Sequence, residues 1–208
     1  MSDVIFTIGH SIHPLDRFMA LLKQHAITAL GDIRSRPYSR MNPQFNRENL
    51  KKSLQEHGIA YIFLGQELGA QSNDASCYRC GKLQYDRLAQ TDLFRQGLER
   101  VRVGMQGYRL ALMCAEQEPL ECHRTILVAR CLEALQITVE HILEDGSLES
   151  QKNALRRLLA LLRLPEHDLF RSREDMIKEA YRIQGERIAY KASQAPSDGE
   201  QPMRSLSR

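Results

Sequence analysis

Short apolar runs alternate with helical patterns along much of the chain, and this alternation constrains the fold more than any other feature. The runs cover residues 4–8, 27–33, 59–64, 108–115 and 137–143. Between the first two runs, one helical face is marked by the spacing of Leu15, Phe18, Met19 and Leu22. Strands that alternate with helices pair in parallel through right-handed crossovers. We therefore expect an α/β fold, a three-layer sandwich with a mostly parallel, Rossmann-like or flavodoxin-like sheet of about five strands.

Capping and turn residues mark the other elements. Asn46 can cap a helix that ends before Gly58, and a further helix is expected from about residue 122 to 135. Ser147 can cap the next helix. The polar stretch at residues 65–84 is longer than an ordinary connection, which predicts a lid or a binding loop.

These patterns divide the chain into three parts. We expect an α/β domain at residues 1–146 and a helical extension at residues 147–191, whose charged end packs against the domain or a partner. Residues 192–208 are rich in Ser, Pro, Gly and charge, and we expect a disordered tail there.

Composition limits the classes of function. The net charge of +3 is too small to indicate a nucleic-acid-binding protein by charge alone. No run of about 18 apolar residues predicts a membrane span. The first residues lack the basic and apolar regions of a signal peptide, and the odd number of cysteines, five, favours reduced thiols over a disulfide framework. We expect a cytoplasmic protein.

Unusual polar residues follow the predicted strands, at the edge where open α/β sheets bind ligands. They are Gly9, His10 and Ser11 after the first run, Asp32, Arg34, Ser35 and Arg36 after the second, Cys114 and Glu116 after the fourth, and Cys122, His123 and Arg124 at the next helix start. Because the carboxyl ends of parallel strands meet at one edge, these clusters predict a single site.

The same residues carry a resemblance to a known family. The segments are T-I-G-H-S at 7–11, D-I-R-S-R-P at 32–37 with Ser39-Arg40, L-G at 68–69, M-C-A-E at 113–116, C-H-R at 122–124 and H-I at 141–142. In this order, over roughly residues 4–145, they resemble the "domain of unknown function 488" family. The resemblance implies an α/β three-layer fold and a shared pocket, and it supplies site residues without a reaction. It does not extend to Cys77, Cys80 or the tail.

The helix start at residues 122–124 has two interpretations. Free N–H groups and the helix dipole attract an anion there, and the Arg124 guanidinium suits phosphate or carboxylate. The same surroundings would lower the pKa of Cys122 and favour its thiolate. Alternatively, Arg124 pairs with Asp32 or Glu116 and braces the edge of the site.

The cysteines also allow alternatives. Cys114 can be a small buried side chain, a nucleophile or a metal ligand. Cys131 shares an apolar helical stripe with Leu127 and Leu135, which indicates a core position. Cys77 and Cys80 form a C-x2-C pair without a second pair. That pair can be redox-active, half of a metal clip or a chance occurrence, and chance is favoured.

A metal is one option for the site. His10 and His13 could join Cys114, Cys122, His123 and Glu116 in supplying nitrogen, sulfur and oxygen donors that suit zinc or iron. Their spacing matches no compact ligand motif, and the same donors can form a hydrogen-bonded catalytic cluster.

We therefore hypothesise an enzyme that acts on a small anionic substrate that contains phosphate. A nucleotide or the end of a nucleic acid would be such a substrate. Arg34, Arg36 and Arg40, with Tyr38 among them, form a basic patch that would meet phosphate. Cys114 or Cys122 would be the nucleophile or a ligand, and Glu116 or His123 would move the proton. The remaining residues of the site would bind substrate: Gly9, His10, Ser11, Asp32, Arg34, Arg36 and Arg124.

Two other functions stay open: a non-catalytic nucleotide- or nucleic-acid-binding module, and a protein that binds a transition metal. No Walker A or Gly-x-Gly-x-x-Gly motif follows a strand, which disfavours nucleoside triphosphatases and dinucleotide enzymes. No Cys-x5-Arg loop follows the fourth strand either, which argues against a cysteine phosphatase.

Overall fold

A computed structural model describes residues 4–165 and 171–192. The strands in these residues are β1 (Val4–Gly9), β2 (Ala29–Asp32), β3 (Ala60–Phe63), β4 (Tyr78–Arg79), β5 (Lys82–Leu83), β6 (Leu110–Cys114), β7 (Thr138–Ile142) and β8 (Leu148–Ser150). The α-helices are α1 (Leu15–Gln24), α2 (Arg47–Glu56), α3 (Tyr85–Leu88), α4 (Asp92–Gly107), α5 (Arg130–Ala134), α6 (Gln151–Leu161) and α7 (Arg173–Ile188).

The main sheet has six strands in the order β3-β2-β6-β1-β7-β8. The five predicted strands are all present and pair in parallel, which confirms the α/β fold with a mostly parallel sheet. The expected number of about five strands was one too low, because β8 pairs with β7 in antiparallel fashion.

The extra strand follows a tight turn at a position where the sequence predicts the start of a helix. Gly146 has a φ of +91° and closes the turn between β7 and β8, a conformation that glycine adopts without strain. Ser147 donates its backbone N–H to Asp145 Oδ1 at 2.8 Å. The cap of α6 is Ser150, whose Oγ accepts from the Asn153 N–H at 3.3 Å, so the predicted cap at Ser147 was wrong.

The strand order differs from both expected arrangements. Numbered along the chain, the main sheet reads 3-2-4-1-5-6, whereas Rossmann sheets read 3-2-1-4-5-6 and flavodoxin-like sheets 2-1-3-4-5. The difference is that β6 lies between β2 and β1. Its last residue, Cys114, is therefore level with Gly9 on one side, and Met113 is level with Asp32 on the other.

Helices cover both faces of the sheet, which gives three layers. On one face Phe6 and Ile8 of β1 pack with α1 and α2. On the other face Ile5 packs in a larger core that includes α4, α6 and α7. Alternate strand residues thus face opposite layers, as the period of a strand requires. The C-terminal helices share this second core, and the domain boundary at residue 146 stays a prediction.

The polar stretch at residues 65–84 is not wholly irregular, because its second half forms the β4–β5 hairpin. The residues that follow α7 return to this hairpin. The Leu83 N–H donates to Tyr190 O at 3.0 Å, and the Ala192 N–H donates to Gly81 O at 2.8 Å. The last described residues therefore lie beside the predicted binding loop. The predicted disordered tail lies outside the described residues from residue 193 onward.

The region after Cys122 departs from the regular helix that was expected. Residues Arg124–Ala129 form a π-helical segment that continues into α5. Cys131 packs half-buried against the core, but Leu135 is 53% exposed and does not extend the predicted apolar stripe. Asn46 precedes α2 without capping it, because its Oδ1 accepts from the Ser39 N–H at 2.7 Å.

The longest helices in the described residues, α4 and α7, have 16 residues each. Among the helices of residues 4–165 and 171–192, none combines the length and apolar character that a bilayer span requires.

Candidate functional site

Four side chains converge where β6 ends, and we refer to Cys114, Glu116, Cys122 and His123 as the thiol cluster. Glu116 Oε2 lies 2.9 Å from the Sγ atoms of both Cys114 and Cys122. His123 Nδ1 lies 3.5 Å from the first sulfur and 3.9 Å from the second. The four donor atoms all lie within 4.8 Å of one another, so the two halves of the predicted motif form one group.

A short loop returns the chain from β6 to the cluster. A 3-10 turn at Pro119–Glu121 is capped by Glu118, whose Oε1 accepts from the Leu120 N–H at 3.0 Å. The fully buried Arg124 side chain braces this loop: its guanidinium donates to Glu116 O and, at 2.8 Å, to Gln117 O. These bonds fix the backbone that carries Glu116.

The end of β1 packs closely against the same loop. His10 donates its backbone N–H to Cys114 O at 2.9 Å, and Ser11 donates to Ala115 O at 2.9 Å. A Cβ atom at Gly9 would overlap the carbonyl oxygen of Glu116. Glycine is therefore required at this position for close approach of two backbones rather than for a special φ value.

The orientation of the His123 ring is set by a backbone contact. Its Nε2 lies 3.1 Å from Leu68 O, which accepts a hydrogen bond from the ring. Nδ1 therefore faces the two sulfurs. Cys122 Sγ also accepts from the Arg124 N–H at 3.4 Å. Both contacts hold side chains of the cluster in place from outside it.

Burial and neighbouring groups shift the ionisation of all four side chains. Burial raises the pKa of Cys114 well above its usual value, and burial with the charge of Cys122 raises the pKa of Glu116. Burial also opposes ionisation of Cys122, but a hydrogen bond from Cys114 and the charges of Arg124 and His123 hold its pKa well below the usual range. Burial alone would lower the pKa of His123. The hydrogen bond with Cys122 and its charge outweigh burial, so the pKa of His123 is raised. This pairing of thiolate with imidazole suits a nucleophile or a metal ligand.

A second buried polar group, the Asp32 network, lies at the end of the neighbouring strand β2. Its members are Asp32, Arg34, His10 and Tyr61. The Asp32 carboxylate accepts from Arg34 Nε at 2.9 Å and from Arg34 Nη2 at 2.6 Å, and it accepts from Tyr61 Oη at 2.8 Å. Burial raises the pKa of Tyr61, with the charge of Asp32 adding to the effect.

His10 completes the Asp32 network. Its Nε2 accepts from Arg34 Nη1 at 3.1 Å, and its Nδ1 donates to Ser11 O at 2.8 Å. The ring stacks on Phe45 with centroids 4.3 Å apart. Burial and the charge of Arg34 lower the pKa of His10 to about 4. The ring is therefore neutral at neutral pH, and each side-chain nitrogen and oxygen atom of the four residues has a hydrogen-bond partner.

A cleft of adjoining cavities runs along this edge of the sheet. A cavity of about 310 Å³ is lined by Arg34, Ser35, Arg36, Ala70, Gln71, Cys114, Ala115, Glu116, His123, Ile188 and Tyr190. A second, of about 330 Å³, shares Arg34, Arg36 and Glu116 and extends to His10, Tyr38 and Asn42. A third, of about 580 Å³, shares Ser35, Arg36 and Gln71. Arg36 is exposed and lines all three.

The structure brings some predicted residues together and separates others. His10 and His13 are buried but are not part of the thiol cluster, so the larger donor set of the sequence analysis does not form. The Arg124 guanidinium lies under the loop and does not line the cleft. Of the two interpretations of Arg124, the structure agrees with the one in which it braces the edge of the site. It does so by donating to backbone carbonyl groups rather than by pairing with the carboxylate of Asp32 or Glu116.

Other predicted residues lie farther from the cluster. His141 is buried between Thr7 and Gln151, with Nδ1 2.7 Å from Thr7 Oγ1 and Nε2 2.7 Å from Gln151 Oε1. Burial lowers the pKa of His141 to about 4. Cys77 is buried and Cys80 is exposed on the hairpin.

Ser35, one of the residues predicted at this edge, lies in the cleft, and the cleft residues that were not predicted include Gln71 and Tyr190. Ser35 lines two cavities, and its buried Oγ has no hydrogen-bond partner within the described residues. Gln71 lies in the polar stretch at residues 65–84 that was predicted to be a lid or a binding loop. That prediction was the only sequence feature that pointed to Gln71. Tyr190 reaches the cleft because the chain returns to the hairpin after α7, and no local sequence pattern indicates such a return.

The comparison with protein families gives one match. The family model described as "Domain of unknown function DUF488" matches residues 14–131. The matched stretch includes α1, β2 and the whole thiol cluster. Neither a search of curated proteins nor a search of solved structures finds a match.

Proposed function

The chain belongs to the family described as domain of unknown function DUF488, and we propose that it is an enzyme that acts on a small, phosphate-containing anion in the cleft. One observation carries the proposal: Cys114, Glu116 and His123 line the same 310 Å³ cavity as Arg36. Reactive groups and a cation thus face one ligand-sized space, as small-molecule sites require.

The cation that meets the anion is Arg36 rather than Arg34. Arg34 is only 6% exposed and is neutralised by Asp32 at 2.6 Å. Arg36 is exposed, and no carboxylate lies within 4.0 Å of it in the described part of the chain. A guanidinium without an acidic partner is available to a phosphate group, which it binds through two parallel hydrogen bonds.

Glu116 is the group best placed to move a proton. It is an exposed residue whose carboxyl group reaches both thiols and lines two of the cavities. A general acid or base must stand within hydrogen-bond reach of the reacting group, and this partly buried carboxyl group, whose pKa burial raises, lines the cleft. Cys114 and His123 lie beside it on the same wall.

The state of the cysteines supports a cytoplasmic enzyme as part of this proposal. All five cysteines are in described residues and are free. Free buried thiols persist in a reducing compartment, and the proposed chemistry needs Cys114 and Cys122 unoxidised.

The test is a turnover assay on phosphate monoesters, phosphate diesters and nucleotides with the full chain. We expect Cys114→Ser and Glu116→Gln to lower kcat/KM about 100-fold or more. Arg36→Gln should raise KM about tenfold with little change in kcat, since it removes a binding contact. Cys131→Ser, half-buried outside the cleft, is the matched control. Equal turnover in all four variants would refute the proposal.

The exposed Tyr38 beside Arg36 favours a second function, a non-catalytic module for nucleotides or nucleic-acid ends. Tyr38 is 64% exposed and lines the 330 Å³ cavity, where a base could stack on it. Binding of a nucleotide without turnover, lost in Tyr38→Ala and unchanged in Glu116→Gln, would select this function. A steep loss of affinity with added salt would extend it to nucleic acid.

A further inference from the structure

We propose that the thiol cluster binds a thiophilic divalent metal ion, zinc in the first instance. Two sulfurs, one imidazole nitrogen and one carboxylate oxygen are a donor set that zinc accepts in four-coordinate sites. The proposal concerns metal binding, and it holds whether or not the cleft is catalytic.

The spacing of the donor atoms suits a tetrahedral ion. Bonds of about 2.3 Å to sulfur and about 2.0 Å to nitrogen, at tetrahedral angles, place a sulfur and a nitrogen about 3.5 Å apart. The two sulfur–nitrogen distances are 3.5 and 3.9 Å. The Glu116 oxygen, 2.9 Å from each sulfur, is closer than a shared ion allows. The Glu116 oxygen would therefore have to shift away from both sulfurs to share the ion, and its place at the wall of the cleft leaves room for that movement.

The contacts around the cluster are those that orient metal ligands. His123 uses Nε2 to donate to Leu68 O at 3.1 Å, which directs the Nδ1 lone pair at the sulfurs. A ligating histidine usually makes such a bond with its other ring nitrogen. The Arg124 N–H at 3.4 Å from Cys122 Sγ is a donor that stabilises a thiolate sulfur.

The charges balance when an ion is present. Two thiolates and one carboxylate around a zinc ion leave one net negative charge. The Arg124 guanidinium, fully buried beside the Glu116 carbonyl group, has no carboxylate within 4.0 Å among residues 4–165 and 171–192. A buried charge is costly unless an opposite charge offsets it, and the metal centre supplies that opposite charge.

The ligands differ in burial, and the difference suits replacement of Glu116 by water or substrate. Cys122, Cys114 and His123 are 1%, 3% and 5% exposed, whereas Glu116 faces the cleft. Catalytic zinc sites combine three protein ligands with one position open to water or substrate. An ion held here could polarise a phosphoryl oxygen. This catalytic role rests on the proposed function, whereas metal binding does not.

The experiment is elemental analysis of the full chain, purified under reducing conditions without a metal-affinity tag. We expect zinc, or iron at the same site, in stoichiometric amount. Cys122→Ala should lower the metal content more than about tenfold, because loss of a ligand costs more than loss of an outer contact. Cys80→Ala, exposed on the hairpin and outside the cluster, is the matched control and should retain the metal.

A second measurement on the unmodified chain covers the case in which Cys122→Ala fails to fold. The protein is stripped with a chelator and titrated with Co²⁺, whose bonds to thiolate sulfur give an intense near-ultraviolet charge-transfer band. We expect the band to saturate at one equivalent and two thiols to become protected from alkylation. Absence of metal in the purified chain together with absence of the band would overturn the proposal, even if phosphate ester turnover were found.

Discussion

Two buried polar groups lie side by side at the carboxyl edge of the sheet, and they differ in how their charges are satisfied. In the Asp32 network the acid meets a bidentate guanidinium, and the imidazole and the phenol complete the set. In the thiol cluster the sulfurs of Cys114 and Cys122 both contact one oxygen of Glu116. Only one imidazole faces them. A group whose hydrogen bonds are complete stabilises the fold, whereas a crowded group of donors is suited to a ligand or a reaction.

The largest effect should come from the same chemical change made in both groups. Asp32→Asn leaves the buried Arg34 charge without its partner, and we expect a loss of about 3–5 kcal/mol in the free energy of unfolding. Glu116→Gln removes a carboxylate from an acid-rich group at an exposed residue, and we expect a loss below about 1 kcal/mol. Denaturant titration of chelator-treated protein measures both values. Equal losses would abolish the distinction between the two groups.

The pH dependence of stability should report the Asp32 network. Burial and Arg34 lower the pKa of His10 from 6.5 to about 4. Between these values the unfolded chain binds a proton that the folded chain does not, so stability is fully present above about pH 6.5 and is lost as the pH falls towards 4. The shift corresponds to about 3 kcal/mol. His141, with the same direction and value, adds to the slope.

The control for this pH effect is a pair of glutamine variants. His10→Gln should flatten the loss of unfolding free energy between pH 6.5 and 4, because it removes one of the two buried imidazoles whose pKa is lowered to about 4. His57→Gln changes an exposed residue and should leave the slope as it is. If the first variant kept the full slope, His10 would not be the neutral partner of Arg34 that the geometry shows.

A smaller effect is expected where β1 packs against the loop of the thiol cluster. Gly9→Ala introduces a Cβ that overlaps Glu116 O, and we expect a loss of about 1–3 kcal/mol with weaker metal binding. Gly107→Ala, at a position with nothing within 4 Å of the added carbon, should instead stabilise by about 0.4–1 kcal/mol. Thermal unfolding compares the two. A harmless Gly9→Ala would show that the loop can move away from β1.

The alternation of apolar runs and helical faces was sufficient to predict the layers and the five parallel strands. The strand order was not predictable in this way, because the pattern does not say where a strand inserts. The placement of β6 between β1 and β2 depends on the packing of both faces. The strand β8 was missed for a local reason: three residues between a turn and a helix carry too little periodicity.

The site was predictable to the extent that it follows from strand ends. Residues 114–116 and 122–124 were expected at one edge, and the structure brings four of them within contact distance. The side-chain direction of Arg124 could not be read from the sequence, because it depends on the π-helical segment that buries it. Tyr190 could not be found either, since a contact between distant segments leaves no local pattern.

The return of the chain after α7 has a consequence for how such a cleft can change. Residues 190 and 192 attach to the β4–β5 hairpin through backbone groups, so the attachment does not depend on which side chains those positions carry. Tyr190 therefore lines the cavity at a position whose side chain can change without loss of these backbone hydrogen bonds. It lies outside the stretch that the family model matches. In the proposed enzyme, the side chain at position 190 could therefore vary with the ligand while the thiol cluster, within residues 14–131, stays unchanged.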